Sequence, residues 1–272
     1  APGDEAAYVF LRQGDAWSQE AKLVAGSGKR ELGHAVAIAG DTVVVGAPKD
    51  GERYFALTKL VSVNFDDPGT YHLYYGDEEG SPGTIITFFP WENVAPGRMG
   101  VGQTQETLFR IPEGAIGYWT HRFLEQGVFH AGLSKRFGET VLSFKDPDGM
   151  GLALVAVPGA EAEPAWQGSE VPVEHAIRGF HGVSLLLADA APTGAILTDV
   201  FGFAETAREG AHVRYAVAGT AVGGIVDIRV AGDFPAGRMG GGSVHHIAFR
   251  AADDAAQEEM VRKLAQQHRI AT

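Results

Sequence analysis

The stretch GRMGGGSVHHIAFR, residues 237–250, places two adjacent histidines, His245 and His246, at the head of an alternating Ile-Ala-Phe run. Imidazole nitrogens bind first-row metals and exchange protons near neutral pH. The chain contains no cysteine, which removes thiolate zinc sites, disulfides and thiol nucleophiles from consideration. A metal site here must draw on His, Asp and Glu. Neighbouring residues of a strand point to opposite faces, so the alternation predicts His246 on one face and His245 on the other or at the strand mouth. The plain alternative is a strand-end histidine bonded to backbone.

The elements that would position these side chains show in an internal repeat. APGRMGVGQTQETLFRIPEGAIGYWTHRF (95–123) resembles PAGRMGGGSVHHIAFRAADDAAQEEMVRKL (235–264) at an offset of 140 residues. Each reads as a Gly-Arg-Met-Gly linker, a short strand and an amphipathic helix, the helices over 112–126 and 251–267. Ile116, Trp119 and Phe123 in one, and Met260, Val261 and Leu264 in the other, fall at helical spacing. Pro112 and the pair Asp253 and Asp254 suit helix openings. The offset sets Glu106 at the slot of His246, making it the one carboxylate at a strand-head position; a solvated or pore-lining residue is the more ordinary role there. Arg98 and Arg238 of the paired linkers read as turn or inter-module salt-bridge residues.

Residues 128–158 continue as strand, strand, a DPDG turn and strand, which makes the unit β-α-β-β-β. A third copy runs from GFHGVSLLLAD (179–189) through a helix near 192–202 to strands within 215–232, and TYHLYYGDEEGSPGTIITFFPW (70–91) ends another. The Pro-, Gly- and Glu-containing stretch 161–179 reads as a linker between halves. By pattern alone the fold class is α+β with antiparallel sheets.

Composition bounds the function. A net charge of −12 argues against nucleic acid, whose phosphates require clustered Lys and Arg. No apolar run approaches a membrane span, no signal segment opens the chain, and a cytoplasmic protein is expected. No phosphate-binding Gly-rich loop or Gly-x-Ser-x-Gly elbow is present.

The tandem β-α-β-β-β units, the His-led strand and the DPDG hairpin resemble the vicinal oxygen chelate superfamily of glyoxalases, bleomycin and fosfomycin resistance proteins and extradiol dioxygenases. VNFDDPGTYHLYYGDEEGSPGTIITFFPW (63–91), with GRMGVGQ, IPEGAIGYW and GGSVHHIAFR, is similar to its four-module ring-cleaving dioxygenases over about residues 60–272. The resemblance implies a mononuclear Fe(II), less often Mn(II), held by two His and one Glu. Three ligands on one face leave the other positions for an aromatic diol and O₂. It assigns His246 as one ligand, His34 in LGHAVAIAGD as the module-one ligand, and His245 as an adjacent catalytic acid–base group. The family's Glu falls beyond Thr272, so Glu106 is the only carboxylate candidate in the chain. Module four reads as incomplete.

The N-terminal part departs from that pattern. Residues 8–48 resemble one blade of an FG-GAP, integrin-type β-propeller, with strands in Trp17-x-x-x-Ala-Lys-Leu, LGHAVAIAGD and GDTVVVGAP. Where the oxygenase pattern asks for a helix after Asp41, the β-branched TVVVGAP excludes one.

The expected organisation is an FG-GAP-like segment over 1–52, a first domain of modules one and two over 53–158, a linker over 159–178, and a second domain of modules three and four over 179–272. The expected function is iron-dependent opening of a hydroquinone- or catechol-type ring by O₂, with a homo-oligomer allowed and neither nucleic acid nor membrane as partner. The alternatives are a non-catalytic fusion or fragment without a specific metal, and a glyoxalase- or resistance-type member of the superfamily.

Overall fold

The computed structural model describes residues 6–13, 16–24, 35–39, 42–46, 58–63, 71–77, 80–91, 93–167, 170–220 and 222–268, the strands up to His72 by their backbone alone. The chain gathers into two compact units, Ala1–Asn93 with Pro164–Ile177, and Val94–Glu163 with Arg178–Thr272.

In the first unit β1 (Ala6–Gln13) and β2 (Ala16–Val24) form an antiparallel pair. A second sheet runs antiparallel in the order β3 (Ala35–Ala39), β4 (Thr42–Gly46), β5 (Thr58–Val63), β6 (Tyr71–Gly76) and β7 (Ile86–Phe88). The β-branched run Thr42–Gly46 is a strand, as its composition predicts. Tyr75 meets Phe88 edge-to-face across β6 and β7, an ordinary cross-strand packing pair.

The second unit is built on one eight-stranded mixed sheet. Its strands in chain order are β8 (Gln103–Pro112), β9 (His130–Arg136), β10 (Glu139–Lys145), β11 (Gly151–Val157), β12 (Phe180–Leu187), β13 (Ala204–Glu209), β14 (His212–Ala216) and β15 (Ile225–Val230). Their spatial order is β13-β14-β15-β12-β8-β11-β10-β9. Each half is a β-α-β-β-β unit. Helix α1 (Ile116–Glu125) follows β8, and α2 (Ala191–Asp199) follows β12. The last strand of each half lies parallel to its first, β11 on β8 and β15 on β12, and the two first strands meet antiparallel at the centre.

That centre corrects the expected domain division. Modules two and three, placed in different domains by the linker reading, share one sheet, because β8 and β12 satisfy each other's backbone groups along their length. Residues 164–177 of the expected linker belong to the other unit.

Sequence explains the sheet's interior. β11, GLALVAV, is buried through its middle, as a near-continuous apolar run requires between β8 and β10. From α1, Trp119 and Phe123 are buried, and Phe123 lies 4.6 Å from Phe144 of β10. In the other half Leu197 of α2 packs with Val213, Tyr215, Val226 and Ile228. Gly194 of α2 allows this approach: a Cβ there would stand 2.1 Å from the Tyr215 hydroxyl.

Helix α3 (Asp254–Gln267) matches the expected helix over 251–267 and opens on Asp253, whose carboxylate accepts from the Ala256 amide. No helix among the described residues is long and apolar enough to cross a membrane.

Candidate active site

His245 and His246 stand in an irregular segment, and the strand expected to carry them is not formed over 243–250. Adjacent side chains of a strand diverge, whereas here the two Nδ1 atoms are 2.9 Å apart and the rings meet edge-to-face at 5.2 Å. Both histidines are exposed. The reason is an absent ladder: among the described residues no strand pairs with 244–250, and an extended segment without a partner has nothing to hold it flat. The segment is fixed at its downstream end, where Phe249 stacks on Phe201 at 4.9 Å and meets Phe203 edge-to-face at 5.8 Å.

The remaining candidates separate. His34 lies outside the described residues. Glu106 is not solvated: it is 7% exposed on β8 and pairs with Arg136 of β9 at 2.5 Å. Lying mid-strand in the centre of the sheet, it needs that counter-charge once buried. Among the described residues no group of three His, Asp or Glu side chains is placed to hold a metal. Two adjacent imidazoles suit iron or manganese in donor type, but they do not complete a donor set. Arg98 and Arg238 donate to backbone carbonyls, and neither forms a salt bridge among the described residues.

The sheet holds a second constellation, largely invisible in sequence. Arg214 of β14 forks onto Asp227 of β15 at 2.7 and 2.8 Å and reaches Glu139 of β10 at 2.6 Å. Glu139 also contacts the buried His181 of β12 at 3.2 Å. The strands β14 and β10 are five places apart in the sheet order, about 24 Å if the sheet were flat at ordinary spacing. Their contact therefore shows the sheet curled into a half-barrel, with this charge cluster inside the curl.

The electrostatics follow from burial and pairing. Burial pushes the Glu139 carboxyl up, but His181 and Arg214 outweigh it and leave it below the usual glutamate range. Burial lowers Arg214, but Asp227 and Glu139 outweigh that and hold its charge more firmly. His212 is lowered, first by burial and then by Arg136 and Arg229.

The tight turn of the β9–β10 hairpin supports the cluster. Phe137 has φ +48° and Gly138 φ +81°, the geometry of a two-residue turn with both central residues left-handed. A bulky residue there is strained. The strained position sets the Phe137 ring beneath Arg214, 4.3 Å from the guanidinium carbon. The Phe137 amide donates to Glu209 at the opposite hairpin, β13–β14. The one signal available in sequence was a charged residue in each short apolar strand, Arg214 in HVRYA and Asp227 in IVDIRV.

Paired β-α-β-β-β modules around a curled sheet define the architecture of the vicinal oxygen chelate class. Within it the chain belongs to the ring-cleaving dioxygenase family. It is 41% identical over 229 residues to MhqO of Bacillus subtilis, covering 82% of this chain and 72% of that protein. It is also 40% identical over 226 residues to MhqA of the same organism, covering 78% and 68%. Both names carry the description ring-cleaving dioxygenase. A crystal structure of a Bacillus subtilis protein described as a dioxygenase superposes with a TM-score of 0.69 at 42% identity. That match covers 75% of this chain, and the chain spans 64% of the protein in that structure. Residues 17–55 match the FG-GAP repeat family, in keeping with the blade-like reading of that segment.

Proposed function

We propose that the protein opens the ring of a hydroquinone- or catechol-type diol with O₂, using one Fe(II), or Mn(II), for which His246 is a ligand and His245 the neighbouring acid–base group. His34 is the second ligand that the family resemblance names. The observation that carries the reading is the identity of about two residues in five with MhqO across most of both chains. The substrate class is supported by the chlorohydroquinone/hydroquinone 1,2-dioxygenase of Sphingobium indicum, 31% identical over 187 residues and covering 67% of this chain and 58% of that one. Exposed imidazoles at His245 and His246 are open to solvent and to a ligand. The direct contact of their rings suits proton exchange between them.

The reaction consumes one O₂ per ring and retains both oxygen atoms in the opened product. Fe(II)-supplemented protein given hydroquinone under ¹⁸O₂ is expected to yield a ring-opened product carrying both labelled atoms. Oxygen uptake without that product, or none above iron alone, overturns the proposal.

One observation favours a second reading, a chain that keeps the scaffold without the chemistry. The FG-GAP match at 17–55 occupies the part of the sequence from which the resemblance draws His34. Unlabelled hydroquinone recovered intact from the same assay is the outcome this reading expects.

A further inference from the structure

The two Gly-Arg-Met-Gly linkers, one before β8 and one before the histidine segment, cross each other in a near-symmetric clasp. The Arg98 amide donates to the Arg238 carbonyl and the Arg238 amide to the Arg98 carbonyl, both at 2.8 Å. Outside this pair, Gly97 N–H donates to the Gly241 carbonyl, Gly241 N–H to that of Ala95, Val101 N–H to that of Pro235, and Gly237 N–H to that of Val101, at 2.9–3.0 Å. The guanidinium of Arg98 donates to the Ala236 carbonyl at 3.1 Å, and that of Arg238 to the Pro96 carbonyl at 3.2 Å. Gln103 accepts from the Gly100 amide, and Ser243 accepts from the Gly240 amide. Each contact has its counterpart in the other linker, at the offset of the sequence repeat.

The glycines make the crossing possible. A Cβ on Gly97 would stand 2.2 Å from the Ser243 hydroxyl, and one on Gly237 would stand 2.3 Å from the Gln103 side chain. A Cβ on Gly100 would meet the Pro235 carbonyl at 2.4 Å, and one on Gly240 the Ala95 carbonyl at 2.4 Å. No side chain larger than hydrogen fits at any of the four positions without moving the opposite linker.

The clasp ends where the histidines begin. Ser243 is bonded to Gly240 through both its amide and its hydroxyl. Gly242, at φ +74°, lies so close to the Asp148 carbonyl of the DPDG turn that a Cβ would be 2.1 Å from it. Downstream the next fixed point is Phe249 on Phe201 and Phe203. Residues 244–248 span the gap, and among the described residues no backbone hydrogen bond holds them. Two anchors and a short bow replace the ladder that would otherwise set the histidines.

We propose that the crossed linkers are the positioning device for His245 and His246, acting through the Gly97–Ser243 contact. This rests on the reading of His246 as a site residue. The helix-distant repeat thereby has a purpose: module two's linker determines where module four's histidines stand.

The contact between the two Nδ1 atoms requires that one carry a proton and the other accept it. Long-range ¹⁵N–¹H spectra of the full chain at neutral pH, with the histidine resonances assigned by substitution, report which nitrogen of each ring is protonated. Wild type is expected to show one ring of the pair protonated at Nδ1 and the other accepting there. Gly97→Ala is expected to lose that complementary pattern. The double variant Gly97→Ala/Ser243→Ala is expected to match Ser243→Ala alone, because the clash partner is gone. An unchanged histidine pattern in Gly97→Ala, with Gly240 and Ser243 amides shifted, overturns the proposal. If Gly97→Ala does not fold, Ser243→Ala, which removes the hydroxyl that faces Gly97 and accepts from the Gly240 amide, is read in the same way; an unchanged pattern there has the same consequence. Undiminished ring cleavage by His246→Ala would refute the site reading and leave the spectroscopic result standing.

Discussion

Arg214 and Glu139 are 2.6 Å apart although their strands lie at opposite sides of the sheet order. The contact closes the curl of the eight-stranded sheet, and with Asp227 it places one guanidinium between carboxylates of two modules. The chain itself supplies the positive charge that joins the two carboxylates.

Removing that charge strands two carboxylates inside the curl. Arg214→Ala is expected to cost about 3–5 kcal/mol, the range for breaking one partner out of a buried pair. Adding Asp227→Asn to that variant is expected to restore part of the loss, since it removes a buried charge left without its partner. Urea unfolding of both variants checks it, and strictly additive destabilisation would show that the residues do not act as a unit.

Acid should loosen the same cluster. The folded carboxyl of Glu139 titrates below its unfolded value, so the folded state binds fewer protons there. Its stabilisation is therefore full above the ordinary glutamate range and is lost as pH falls through the lower, folded value. Asp146 carries the opposite sign: burial raises it, so its charge disfavours the fold above its folded value and the penalty fades as pH falls through that value. Melting temperatures from neutral pH downward should show Glu139→Gln flattening the acid decline and Asp146→Asn gaining stability at neutral pH.

Phe137 trades backbone strain for a ring under Arg214. Phe137→Gly relieves a left-handed position worth about 1–2 kcal/mol and gives up a cation–π contact worth about 0.5–1 kcal/mol. It is expected to leave stability within about 1.5 kcal/mol of wild type by the same balance. Phe137→Val loses the ring and places a β-branched residue at positive φ, so it should be clearly less stable in thermal melts.

The sequence carries the modules more legibly than the site. Trp119 and Phe123 announce α1 by spacing, the DPDG turn announces β10 and β11, and the GRMG repeat announces that two linkers are related. Periodicity is local, and these features are local. The pairing of β8 with β12 across an intervening linker is not, and it defeated the expected domain boundaries. His246 departs from its expected strand face for the same reason: alternation gives a strand only where a partner strand exists. The solvated role expected for Glu106 failed because its counter-charge, Arg136, arrives from a strand that folds back after a helix. His181 lies just past the expected linker with nothing local to mark it, and it is 4% exposed and faces Glu139.

The proposed function makes His246 a ligand in a metal site of ring-cleaving type. Anaerobic calorimetric titration of the full chain with Fe(II), wild type against His246→Ala, tests it most directly. One tight site per chain is expected in the wild type, with affinity reduced at least about 10-fold in the variant, as loss of a ligand demands. Weak binding that the substitution leaves unchanged would contradict it.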